Sequence, residues 1–229
     1  FNVMLELDNR SPGLIITRQT KERFTAFSIN SFCGHKITSS YDRSYVFPLF
    51  TKDDTGLFPI KSSCISRKVL MHFRSLLNKN IDDLDLALKI FCYSLAILNS
   101  PTYNALFSSQ LKRDWPRLPI TNNINLFINV SHIGKSLMGL HLLESPVLET
   151  AGATVPYQGG MPSARLVAGY PKFANGAVQV NAAERFEGVT EQVWNFHIGG
   201  YQVCHKWLKD RRGRSLSAEE IAHYQKVVV

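Results

Sequence analysis

Residues 84–98 are apolar on nearly every side of the helix that their spacing predicts. A helix without a polar face must be buried all round, so the flanking segments have to wall it in from more than one direction. On the N-terminal side, Val69, Phe73, Leu76 and Leu77 share one face of a helix predicted from Ile65 onward. On the C-terminal side, Ser100 and Pro101 restart the chain as N-cap and first helical residue of a second helix, which runs to Leu111 and is stopped by Trp115-Pro116. Apolar residues make up 45% of the 229, enough for a sizeable core.

The rest of the chain reads as smaller elements. Residues 1–50 are rich in β-branched and aromatic side chains, with runs at 14–17, 24–27 and 45–47 broken by Pro12-Gly13 and charged turns, which predicts an antiparallel β region. A further helix is expected to start near Ser131 and to carry Ile133, Leu137, Leu140 and Leu143 at helical spacing. Tyr157-Gln158-Gly159-Gly160 and Pro162 read as a loop, followed by short strands at 166–170 and 177–181. Thr190 caps a short helix over 191–196, and Ser217-Ala218-Glu219-Glu220 matches a capping box opening a last helix. The result is an α+β fold in a single domain, β-rich over 1–64, helical over 65–145 and mixed over 146–229, with no internal repeat.

With 26 Lys and Arg against 18 Asp and Glu, the formal charge is +8, which favours a polyanionic partner over a neutral small molecule. Cys33, Cys64, Cys92 and Cys204 lie far apart, without the local spacing of a zinc site, and read as free thiols of a reducing cytoplasm. No apolar run reaches the roughly 18 residues of a spanning helix and no signal peptide opens the chain, so a soluble, cytoplasmic protein is expected. The chain opens on Phe1-Asn2-Val3 without an initiator Met and reads as a piece of something longer.

Motifs for chemistry are tested and fail. Gly134-Lys135-Ser136 resembles the end of a Walker A loop, but the first glycine of that pattern would fall on Asn129, and one glycine cannot wrap amides around two phosphates. It reads as a helix start. Asn99-Ser100-Pro101-Thr102-Tyr103 departs from the Asn-Pro-Pro-aromatic loop of adenine amino-methyltransferases, because Ser100 separates the Asn from a single Pro and no glycine-rich cofactor loop precedes it. It reads as a helix junction. No Asp or Glu has a Lys two residues later, as a common metal-dependent nuclease requires, and G-x-S-x-G and H-E-x-x-H are missing. His197 and His205 share a segment with Cys204 but have no second ligand cluster and read as packed or surface histidines. The chain is expected to hold no metal and no catalytic residue.

The positive signal is basic. Lys112, Arg113 and Arg117 surround Trp115; Arg18, Lys21 and Arg23 flank a turn in the β region; Lys206, Lys209, Arg211, Arg212 and Arg214 sit around Trp207. Singly, each reads equally well as a solvated face or a helix C-terminal charge. Summed beside rigid aromatics, they favour phosphate neutralisation on DNA.

One further pattern is carried by Phe186-Glu187-Gly188-Val189, Val193-Trp194-Asn195-Phe196, Ile198-Gly199-Gly200-Tyr201-Gln202, Lys206-Trp207-Leu208-Lys209-Asp210-Arg211 and Ile221-Ala222-His223-Tyr224-Gln225. Together with the earlier blocks 45–49, 98–103, 111–119 and 140–143 in the same order, it resembles the C-terminal specificity domain of type ISP restriction-modification enzymes. The resemblance runs from about residue 45 to the end and is weak over the first forty residues. It implies a target-recognition domain for duplex DNA that serves N6 methylation of an adenine, with the methyltransferase domain of the same polypeptide as a second partner. It places S-adenosylmethionine, ATP and Mg²⁺ on domains outside this chain. Members read different DNA sites, so the shared C-terminal signature is expected to frame the fold, dock the methyltransferase or hold phosphates, with Gly199-Gly200 as a tight turn and Trp194 and Trp207 packed. Base reading is expected in the weakly matched parts, from Arg18, Lys21, Arg23, Asn30, Lys36, Arg43 and the loop around Gln158 and Arg165. Two rivals stand beside this: a docking module coupling methyltransferase to motor, and a small nuclease, against which the missing acidic-x-Lys pair argues.

Overall fold

Three strands open the described chain where β-branched and aromatic residues cluster, the first buried at all but one of its positions and the last alternating between more covered and open ones. They are β1 (Gly13–Thr17), β2 (Phe27–Ile29) and β3 (Ser44–Pro48), paired antiparallel in the order β2-β1-β3. In the computed structural model the residues described are 11–31, 33–34, 36–53, 60–77, 81–160 and 165–229. A hairpin of β4 (Phe50–Asp53) and β5 (Ile60–Ser63) follows, then α1 (Arg67–Leu77), α2 (Asp83–Asn99), α3 (Pro101–Leu106), α4 (Ser108–Leu111) and α5 (Ile124–His141). The run expected at 24–27 is buried at Phe24, Thr25 and Ala26, yet pairing begins only at Phe27, opposite Ile15. The Ala26 carbonyl instead accepts the Asn99 side-chain amide at 3.0 Å, so it is committed to α2.

Helix α2 is the all-round apolar segment and is walled on several sides. Leu86, Ile90 and Tyr93 pack with Phe73 of α1 and Phe127 of α5. Ala87, Phe91 and Leu95 pack with Leu49 and Phe50 of the β region. Leu98 joins Ile16, Phe24, Tyr103 and Leu111. Asp82 caps its start, accepting from the Leu84 and Asp85 amides. Ser100 ends it and caps α3, with Pro101 in the first turn, and the single helix expected to run to Leu111 breaks at Phe107 into α3 and α4. Helix α5 starts seven residues before Ser131, because the Asn123 side chain caps it through the Leu126 amide. Gly134-Lys135-Ser136 therefore lies inside a helix rather than at its start.

His141 closes this layer. Its Nδ1 accepts the Ser28 amide of β2 at 3.2 Å, its ring lies 4.6 Å from that of Phe27, and burial pushes its pKa down to about 4. The unfolded chain takes up this proton near pH 6.5, the folded one only near 4, so the contribution is complete above about 6.5 and is lost as pH falls toward 4. Between pH 7 and 5 the stability of this part should drop by about 2 kcal/mol, read from denaturant midpoints. His141→Gln should flatten the dependence, and a native midpoint constant over that interval would sink the assignment.

The chain divides into two units, Phe1–Leu142 and Leu143–Val229. The second holds a 3₁₀ turn (Pro146–Thr150), α6 (Ala151–Thr154), β6 (Tyr157–Gln158), β7 (Lys172–Ala174), β8 (Ala177–Gln179), β9 (Arg185–Phe186), α7 (Glu191–Trp194), the hairpin β10 (His197–Ile198) and β11 (Tyr201–Gln202), α8 (Val203–Lys209) and α9 (Ala218–Val228). Strands β6 to β9 form an antiparallel sheet in the order β6-β9-β8-β7. Its core gathers Val155, Leu166, Val178, Phe186, Leu208 and Tyr224. Tyr157-Gln158, expected as loop, pairs with Phe186 and Arg185. The strand expected at 166–170 is not formed: Arg165 makes an isolated bridge to Ser215, and Leu166 is pinned through its main chain to Arg214 and Gly213. Pro162 lies outside the described residues. The α+β class holds, and among the described residues no helix is long and apolar enough to cross a membrane.

Candidate nucleic-acid interface

At one end of the first unit, three segments far apart in sequence converge. The Thr20 amide donates to the Leu111 carbonyl at 3.2 Å, tying the β1–β2 connection to α4. The Lys21 amide donates to Asp42 at 3.3 Å, tying the same connection to the segment before β3. Arg18 pairs with Asp114 at 3.1 Å, and Trp115 sets its ring edge-on to Tyr45 and Phe47, at 4.9 and 5.6 Å. These ties bring Lys21, Arg23 and Lys112 onto one cleft of about 370 Å³, with Phe24, Asn104 and Ser108 among its other walls. An adjoining cleft of about 200 Å³ carries Arg18, Arg43 and Tyr45. Arg113 and Arg117, on either side of Trp115, are exposed.

The carboxylates in this region are already committed. Glu22 accepts the Ser40 amide at 2.9 Å, Asp42 accepts the Lys21 amide, and Asp114 is held below its usual carboxylate range by the Trp115 amide first and by Arg18 second. Among the described residues, Lys21, Arg23, Arg43, Lys112, Arg113 and Arg117 have no ion-pair partner. Seven cations against three engaged acids leave the surface open to polyanion phosphates. Lys36 is exposed on the segment before β3, while Asn30, half-buried after β2, makes a polar or ring contact within the fold.

The C-terminal cluster is built differently. Glu220 accepts Arg214 at 2.6 Å and Arg211 at 3.2 Å, and also closes the capping box with Ser217 at the start of α9. Its pKa falls to about 2, Arg214 being the largest cause. The Arg211 guanidinium lies 3.5 Å from the Trp207 ring centre, on a ring that also stacks with His223 at 5.7 Å. Arg212 donates to the Tyr170 carbonyl at 2.6 Å, and Lys206 pairs with Asp210 one turn on. Arg211 and Arg214 thus tie the segment after α8 to α9, Arg212 ties it to Tyr170 and Lys206 closes its pair at the end of α8, and within this cluster Lys209 alone has no such partner among the described residues. Gly199, with φ +54°, makes the two-residue turn between β10 and β11 that its sequence implied. In the same unit Gln158 is exposed on β6 and Arg165 is exposed at its bridge to Ser215; residues 161–164 between them lie outside the described residues.

Asn104 and Ser108 were not singled out from sequence. They follow the 99–103 junction at helical spacing, and only the folding of α3 and α4 beneath the β1–β2 connection turns them toward a cleft. Among the described residues no three His, Cys, Asp or Glu side chains gather to hold a metal.

The model of the Type ISP C-terminal specificity domain matches residues 1–229. The chain belongs to that family. The match includes the first forty residues of this specificity domain, where the sequence resemblance was weak. Among solved structures, the domain is similar to a nuclease-deletion mutant of the Type ISP restriction-modification enzyme LlaGI in complex with a DNA substrate mimic, at TM-score 0.65 and 16% identity, over 96% of this chain and 20% of that one. It is similar to the ATP-dependent Type ISP enzyme LlaBIII bound to DNA, at TM-score 0.61 and 16% identity, over 95% and 15% of the two chains. A DrdV–DNA complex gives TM-score 0.60 and 15% identity over 96% and 22%. The specificity domain thus spans about a fifth of the length of the chains it resembles, and at these identities the likeness speaks for the fold. No curated protein matches it by sequence.

Proposed function

We propose that this specificity domain recognises duplex DNA, with the basic end of its first unit meeting the phosphates, and sets a target adenine in place for N6 methylation by a separate methyltransferase domain of the same polypeptide. The observation that carries this is the convergence of Arg18, Lys21, Arg23, Arg43 and Lys112 from three distant segments onto two adjoining clefts. Membership of a specificity-domain family supports it, as does the DNA in three solved complexes of similar fold, two of them of Type ISP restriction-modification enzymes. Phosphate contacts fix register, while base edges carry the sequence information. The domain's part is to hold the site while the target base leaves the stack into another domain's pocket. S-adenosylmethionine, ATP and Mg²⁺ are assigned to those other domains.

Salt dependence tests the reading. A surface contacting on the order of five phosphates should lose roughly two to three decades of affinity for random duplex DNA between about 50 and 200 mM salt, measured by fluorescence anisotropy. A flat or absent signal at low salt would favour the docking reading, in which this surface meets another domain.

A further inference from the structure

Asn104 lines the larger cleft from α3, and its side-chain amide is held in one orientation. Nδ2 donates to the main-chain oxygens of Leu98 and Ser100, at 2.8 and 3.0 Å. Turning the amide over would set Oδ1 against those two oxygens, so the assignment of its ends is settled by the network. Oδ1 is therefore the remaining end of the group, and it is buried without a donor. Burying an unmet acceptor is unfavourable, and elsewhere in this region the side-chain acceptors Glu22, Asp42 and Asp114 all have donors.

We propose that Asn104 is a base-reading residue whose Oδ1 accepts a hydrogen bond from the exocyclic amino group of a DNA base entering this cleft. The proposal rests on the DNA-recognition reading above. With Nδ2 occupied, Asn104 acts as an acceptor only. In the major groove it can take the N6 amino group of adenine or the N4 amino group of cytosine, and it opposes the O6 of guanine and the O4 of thymine, which are acceptors themselves. A cleft of about 370 Å³ falls within the range of roughly 300–1,000 Å³ that holds small ligands. Phe24 and Leu111 give it apolar walls. Lys21, Arg23 and Lys112 are long, exposed side chains lining the cleft, placed to take the phosphates on either side of the base that Asn104 reads.

The test is selection from a randomised duplex library with the native chain, Asn104→Leu and Ser108→Phe, with the salt slope on random DNA measured for each. Ser108→Phe fills the cleft and leaves both Nδ2 bonds in place, so it decides the matter if Asn104→Leu fails to fold. Expected is a native site in which one base pair loses about tenfold or more of its discrimination in both variants, while the salt slope stays put. At that pair, purine in place of adenine, or 2-pyrimidinone in place of cytosine, removes the amino group alone. It should cost the native chain about tenfold and cost Asn104→Leu nothing further. Identical discrimination by folded variants and native chain, or indifference of the native chain to the missing amino group, overturns the role of Asn104 and leaves DNA binding standing. A native chain that binds no duplex overturns both.

Discussion

Arg23→Glu with Lys112→Glu should lower affinity for random duplex DNA on the order of a hundredfold at moderate salt, and should flatten the dependence on salt. Both side chains line the larger cleft, both are exposed, and neither has an ion-pair partner among the described residues. Their reversal therefore changes the field at the surface and leaves the packing alone, so thermal stability should move by less than about 0.5 kcal/mol. Arg214→Glu is the informative contrast. It breaks the contact with Glu220 at the start of α9, so it should destabilise the second unit while leaving the salt slope near native. Equal loss of binding from both changes would mean that phosphates are met by the C-terminal brace as well, and the proposed surface would have to be redrawn.

That contrast also marks how far the site was legible in the sequence. Counting cations found three clusters around Trp115, the β1–β2 turn and Trp207, but counting cannot tell an available charge from a committed one. Arg18, Lys21 and Arg23 come together with Arg43 and Lys112 through the Thr20 amide on the Leu111 carbonyl and the Lys21 amide on the Asp42 carboxylate, long-range bonds of main-chain donors that no side-chain pattern announces. The partners of Arg211 and Arg212 lie 9 and 42 residues away, and the pull of Glu220 on Arg214 depends on how α8 turns into α9. The capping box at Ser217 was legible because its two bonds are local. Local rules likewise placed the end of α2 and the start of α3 at Ser100 and Pro101. The strand at 166–170 failed because Leu166 finds its backbone partners at Gly213 and Arg214, far along the chain.

Gly134→Ala should destabilise the first unit by about 3 kcal/mol, at the upper end of what overpacking usually costs, and the reason returns to the helix that organises this unit. A Cβ at Gly134 would lie 1.8 Å from the carbonyl oxygen of Cys92, an atom of the α2 backbone that cannot move aside as a side-chain tip could. One turn earlier, Ser131 sends its hydroxyl to the Lys89 carbonyl at 3.0 Å as well as to Phe127 at 2.7 Å, so two small residues let α5 press against α2. The glycine that resembled part of a phosphate loop is thus a packing device, in a helix whose neighbour is apolar on nearly every side. Denaturant unfolding of Gly134→Ala checks this, with Lys135→Ala and Ser136→Ala as companions. Lys135 and Ser136 are exposed, so their replacement should cost under about 0.5 kcal/mol. Comparable losses at all three positions would contradict the packing account, whereas a loss confined to Gly134 ties the stability of the first unit to the closeness of α2 and α5.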